Sequence, residues 1–325
     1  MLHARALFRR LVIVALSTGA LTTTLSAQLV EKPSRPATIP PPPPPRPTAR
    51  AMKAGPPGAP AATGISGMEV VAGPMVDVAS LAEASASAQC PTGKVALSAG
   101  VEFTAPGQAS FGLEVKGAWP DGRLATVRVR NANVAVPARA RAFAVCVMEI
   151  PGLRAAYFGG LATARGDDPV RIDGACNANE LVVGGGVMGQ SMTIVTSNAP
   201  DGASPGVWHQ LVMPASPVRL PGSYRAESRI LCAPASAVDG WEIVTSVPVA
   251  LGARSQSTLS TSCPAGKVLL AAGVLQTSTN YIDIVASSMI PSSSGSSTAF
   301  IQNRNTLGSA GTVDAKVSAL CARRQ

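Results

Sequence analysis

Charge is scarce in this chain. Only 14% of its 325 residues are charged and 4% are aromatic. Histidine is rarer still, with two residues in all, and His3 lies in a segment with the features of an export signal. The mature chain then keeps His209 alone. That excludes a Ser-His-Asp triad repeated across several modules, and it excludes histidine-rich metal sites. No apolar stretch reaches the ~18 residues that a membrane-spanning helix needs. No window of twelve residues holds a convincing apolar 3.6-residue period; positions 77–88 come nearest, through Val78, Leu81 and Ala82, but serine and alanine dominate them.

The chain is instead rich in residues that break regular structure, with 31 glycines and 28 prolines. Arg5, Arg9 and Arg10 precede the apolar run from Leu11 to Leu16, and small or hydroxylated residues follow as far as Ala27. This order of charge, apolar core and small residues predicts a secretory signal peptide over 1–27. No cysteine stands near Ala27, so the expectation is a cleaved signal rather than a lipid anchor. Residues 28–66 read as a linker. Twelve prolines fall between Pro33 and Pro60, including the unbroken run Pro40 to Pro45. Each fixes φ and removes a backbone donor, which favours polyproline II and a semi-rigid spacer. The 28 residues from Pro33 to Pro60 would span roughly 90 Å if fully extended.

The net charge of +9 does not mark a nucleic-acid binder. The signal holds three of the 27 basic residues and none of the 18 acidic ones; the stretch 28–60 holds five and one. Residues 61–325 then carry 19 basic and 17 acidic side chains, a net of only +2. A protein that reads nucleic acid gathers basic charge on its folded face.

Internal repetition is the strongest feature. The cysteines are Cys90, Cys146, Cys176, Cys232, Cys263 and Cys321, spaced within successive pairs by 56, 56 and 58 residues. First cysteines recur after 86 and 87 residues, second ones after 86 and 89. Cys90-Pro-Thr-Gly-Lys-Val answers Cys263-Pro-Ala-Gly-Lys-Val, with Cys176-Asn-Ala-Asn-Glu-Leu as a looser middle copy. Ten residues past each first cysteine stands a glycine, Gly100, Gly186 or Gly273, followed by Val101, Val187 or Val274. Gly67-Met-Glu-Val-Val71 likewise matches Gly240-Trp-Glu-Ile-Val244. The boundaries predicted from these matches are 67–151, 152–239 and 240–325. Six cysteines allow fifteen pairings, and the repeat selects Cys90–Cys146, Cys176–Cys232 and Cys263–Cys321. An exported chain meets the oxidising conditions in which such bonds persist.

Short runs rich in valine and isoleucine, separated by Gly, Pro, Ser and Asn, predict four or five antiparallel strands per repeat and an all-β fold. In Leu124–Arg130, Thr126, Arg128 and Arg130 alternate with Ala125, Val127 and Val129, the mark of a half-buried strand. Trp119-Pro-Asp-Gly122 and Ala199-Pro-Asp-Gly202 read as turns. With no spacer between repeats, the expected body is a closed, pseudo-threefold, β-prism-like unit, and three β-sandwiches in a row is the alternative. The opening Cys-Pro-x-Gly-Lys-Val, the small-Gly-Val step and the closing Leu-Cys resemble repeats of secreted bacterial proteins of unassigned function. The spacing is also distantly similar to the β-prism of vitelline membrane outer layer proteins, a resemblance that implies a Greek-key repeat and no catalytic residues.

Chemistry-bearing constellations are few. Gly184-Gly-Gly186 lacks the Lys-Ser/Thr and following helix of a phosphate loop, and the same slot reads Ser98-Ala-Gly100 and Ala271-Ala-Gly273. Small residues inside a strand predict close approach of another backbone. Asp167-Asp168 precedes Pro169 and reads as a turn. Carbohydrate recognition needs an aromatic platform beside polar groups. Trp119, Trp208 with its neighbour His209, Trp241 and Tyr281 are the candidate binding residues; Tyr157 and Tyr224 are further aromatics. No metal or other cofactor is expected. The reading is an exported, non-catalytic protein, in the periplasm, at the cell surface or secreted, that binds an envelope or extracellular glycan or a surface protein. The alternatives are a structural envelope component and, last, a hydrolase.

Overall fold

Small or branched apolar side chains, alternating with polar ones or in continuous runs, make most of the described residues strand. In the computed structural model, which describes residues 64–104, 112–164, 170–189, 193–200, 202, 206–214, 222–276, 284–303 and 312–325, no α-helix occurs among the described residues. The first repeat holds β1 (Glu69–Ala72), β2 (Val76–Val78), β3 (Glu83–Gln89), β4 (Lys94–Thr104), β5 (Leu113–Asp121), β6 (Leu124–Asn131) and β7 (Ala138–Met148). The second holds β8 (Arg154–Ala164), β9 (Val170–Ala175), β10 (Glu180–Gly189), β11 (Thr193–Pro200), β12 (Val207–Pro214) and β13 (Gly222–Pro234). The third holds β14 (Glu242–Thr245), β15 (Val249–Leu251), β16 (Gln256–Ser262), β17 (Lys267–Gln276), β18 (Ile284–Pro291), β19 (Ser296–Asn303) and β20 (Val313–Arg323). In β6 the predicted alternation is observed, with Ala125, Val127 and Val129 buried. Each repeat has more strands than its apolar runs predict: β2 and β3 in the first, β8 and β9 in the second, and β14, β15 and β16 in the third are additional.

One pairing pattern recurs. The cysteine-bearing last strand lies between the first strand or strands of its repeat and the strand after the first cysteine: β7 between β1–β2 and β4, β13 between β8 and β10, β20 between β14–β15 and β17. The remaining strands form a second antiparallel set, β3–β6–β5, β9–β12–β11 and β16–β19–β18. Strands of different repeats then pair with one another. Val187 of β10 opposes Ala118 of β5, Val274 of β17 opposes Asn198 of β11, and Val101 of β4 opposes Met289 of β18. A parallel bridge between Gly185 and Ser98 joins two of the resulting groups, giving one sheet of 13 strands and one of seven.

The repeated glycines sit at these joints. A Cβ on Gly186 would collide with the carbonyl of Ala118, on Gly273 with that of Asn198, and on Gly100 with that of Met289. The three carbonyls belong to equivalent positions, so the close approach expected from the small-Gly-Val step is the same in all three copies. Each strand after a first cysteine also carries a β-bulge, at Leu97, Val183 and Leu270. A bulge adds a residue and turns a side chain out of the regular alternation. Here it delivers three aliphatic side chains, all 0% exposed, into one core cluster drawn from all three repeats.

The ends of the repeats close that cluster. Ile65, Ile150 and Val238 are buried in it, and each stands two residues before a glycine with positive φ: Gly67 at 63°, Gly152 at 77° and Gly240 at 62°. Such a backbone conformation strains any residue with a Cβ. The looseness of the middle copy is local and compensated. Asn179 takes φ of 68° where Gly93 and Gly266 take 83° and 79°, and asparagine is among the few residues that tolerate that region. Lys94 pairs with Glu69 at 2.7 Å and Lys267 with Glu242 at 2.8 Å; in the middle copy the polarity is reversed, and Arg154 Nε donates to Glu180 at 2.8 Å.

The three disulfides are those selected by the repeat: Cys90–Cys146, Cys176–Cys232 and Cys263–Cys321, with Cα separations of 5.6, 5.7 and 5.6 Å. Each ties the turn before the bulged strand to the last strand of the same repeat.

Candidate functional site

Consecutive residues of a strand face opposite ways, and this separates Trp208 from His209. Trp208 of β12 points inward and is 0% exposed. Its Nε1–H donates to Asn198 Oδ1 at 2.6 Å, and its ring packs on Gly185, where a Cβ would come within 3.0 Å of the indole. No ring face is open to a ligand, so Trp208 is a core residue rather than a binding platform. Trp241 is half-buried against the same cluster and donates from Nε1 to the carbonyl of Val182 at 2.8 Å. The equivalents of Trp241 are Met68 and Leu153, both packed on that cluster, which marks the slot as apolar. Trp119 is half-buried on β5, with its ring near Gly117. Tyr281, Asp167 and Asp168 lie outside the described residues. The aromatic candidates therefore do not converge: two share the core and Trp119 lies apart from them on β5.

His209 faces outward beside Asp173 of the edge strand β9. Its Nδ1 is 2.6 Å from Asp173 Oδ1, and Arg171 Nη2 is 3.1 Å from its Nε2. A guanidinium only donates. Nε2 therefore accepts, Nδ1 carries the hydrogen, and Nδ1–H donates to Asp173. Arg171 Nε also donates to Asp173 Oδ2 at 2.7 Å. Both ring nitrogens are engaged.

A different constellation gathers on the outer side of β8, β13 and the end of β5. Tyr157 is 55% exposed. The Arg229 guanidinium carbon lies 4.8 Å from its ring centroid, and Arg229 Nη2 donates to Asp121 Oδ1 at 2.7 Å. That hydrogen bond holds the Asp121 carboxyl below the ordinary carboxylate range. Asp121 comes from the first repeat, Tyr157 and Arg229 from the second, and the β5–β10 pairing brings them together. Tyr157 and the Asp121 turn are visible in the sequence as an aromatic and as turn chemistry. Their proximity is not, because it depends on pairing between repeats.

A cleft of about 570 Å³ is bounded by the connections between repeats, including Ile150, Pro151, Pro234 and Ala237, and by Gly64 and Gln325. Cys176, Glu180 and Cys232 lie close enough to suggest a metal site, but the two sulfurs are bonded to each other and present no thiolate. Among the described residues no helix is long and apolar enough to cross a membrane. No protein-family model and no curated protein matches the chain.

Proposed function

We propose that this is an exported, non-catalytic binding protein whose three repeats close into a pseudo-threefold, β-prism-like body and which recognises a cell-envelope or extracellular glycan. Three disulfides suit an oxidising compartment outside the cytoplasm. The cyclic exchange of strand pairs, β5 with β10, β11 with β17 and β18 with β4, favours the closed body over three sandwiches in a row. The observation that carries the ligand class is the exposed Tyr157 ring, fixed by Arg229 and flanked by Asp121 on rigid strands. An aromatic face with adjacent ionised hydrogen-bonding groups is what a sugar ring and its hydroxyls require. A structural envelope component is the second reading, favoured by the interlocked strands and three disulfides.

Glycan-array binding by the secreted protein tests this. Expected is a hit that weakens at least tenfold in both Y157A and R229A, with melting temperature and disulfides unchanged. Binding unaffected by both variants moves the site elsewhere. A blank array with retention in the envelope fraction leaves the structural reading.

A further inference from the structure

We propose that β8 is an open sheet edge through which two copies of this chain pair, antiparallel, into a weak dimer. The inference stands apart from glycan binding and rests on a contrast among three equivalent edges. In the first repeat that edge is split into β1, of four residues, and β2, of three, with Pro74 in the break. In the third it is split into β14 and β15, again four and three residues, with Pro248 in the break. Short strands and prolines are the ordinary means of blunting an edge against association. The second repeat has no such break: β8 runs for 11 residues as Arg-Ala-Ala-Tyr-Phe-Gly-Gly-Leu-Ala-Thr-Ala, without proline. It pairs in unbroken register with β13 from Arg154–Cys232 to Ala164–Gly222. Among the described residues it has no other strand partner. The other edge strands, β3, β9 and β16, have seven, six and seven residues.

The occupant follows from the charges. Arg154 is the sole charged residue of β8 and already binds Glu180. An antiparallel second copy sets the two Arg154 residues at opposite ends of the pair, about 33 Å apart at the usual rise per residue. Ala155, Tyr157 and Gly159 alternate on the exposed side, and two of the three are small. A twofold axis normal to the sheet, the commonest symmetry of homo-oligomers, gives the order β10–β13–β8–β8–β13–β10. It also puts both Tyr157–Arg229 stacks on one face. A single added strand pair is a small interface, so the association is concentration-dependent.

Sedimentation equilibrium of the secreted protein over a hundredfold concentration range tests this. Expected is a reversible monomer–dimer equilibrium, with the dissociation constant raised at least tenfold in A155K and in G159P. The control T245K, on the already broken β14 edge, should leave the equilibrium unchanged. Hydrogen exchange should slow in β8 amides as dimer forms, a readout independent of the variants' folding. A monomer at every concentration overturns the proposal, as does a dimer that both β8 variants leave intact or one formed without new protection in β8. Y157A separates the two proposals, since it should weaken glycan binding at least tenfold while leaving the dimer.

Discussion

Glu180 stands where the other two repeats place a lysine, and Arg154 where they place a glutamate. The exchange of both partners keeps an attractive pair across the same two strands. Arg154 holds the Glu180 carboxyl below its ordinary range, and Glu180 raises the Arg154 guanidinium in turn. A single E180K change sets two cations side by side, whereas R154E together with E180K rebuilds the pair found in the first and third repeats. The single variant should melt lower than wild type and the double variant should recover, as a double-mutant cycle followed by calorimetry would show. The sign of the pH dependence is fixed. A depressed folded-state carboxylate contributes fully above the unfolded value, about 4.3, and its contribution disappears as pH falls through the lower folded value. The difference between wild type and E180Q should therefore narrow in acid. This pairing was half legible. The departure of Cys176-Asn-Ala-Asn-Glu from Cys-Pro-x-Gly-Lys is plain in the sequence, but that Arg154 compensates it emerges only from the register of β8 on β13.

Bulges show why the elements were only partly readable. Leu124–Arg130, found by its two-residue period, is a strand with one face in a core. The strands missed include β3 and β16, edge strands in which serine, threonine or alanine dominate and no hydrophobic alternation announces them, and β8, whose run is interrupted by Gly159-Gly160. A second set of bulges falls in β5, β11 and β18, at Lys116, Thr196 and Ser287. These three positions align, and a bulged residue leaves the regular ladder. Lys116 is 0% exposed, its nearest carboxylate Glu114 is 3.8 Å away, and burial pushes its amine down to about 8. Between that value and the ordinary lysine range near 10.5, the unfolded chain holds a proton that the folded chain does not. Stability should then rise with pH across that window, by ~3 kcal/mol in total. Chemical denaturation at pH 7.5 and pH 10 should register the rise, and K116M should flatten it. An equal slope in K116M would show that the lysine is protonated in the fold.

At the scale of the whole molecule, the question is whether a repeat is a folding unit. Each repeat carries its own disulfide, and in the entropy model closing a loop of that size contributes about 4 kcal/mol. That argues for independence. Packing argues against it. Leu97, Val183 and Leu270 meet in one cluster, Trp208 of the second repeat lies in it, and Trp241 of the third caps it. Excision of residues 67–151 would expose Leu97 and the inward side of Ile150, and would leave β4 and β5 without the partners β18 and β10. Fully exposing large aliphatic side chains costs roughly 1.5–3 kcal/mol each, so two such residues and two lost strand contacts offset the disulfide. The excised first repeat should therefore be oxidised but unfolded, with collapsed amide dispersion in its NMR spectrum. The three repeats together, residues 64–325, should melt in one cooperative transition, with calorimetric and van't Hoff enthalpies equal. Three separable transitions, or a folded single repeat, would mean that the contacts between repeats are incidental and that the modules stand in a row.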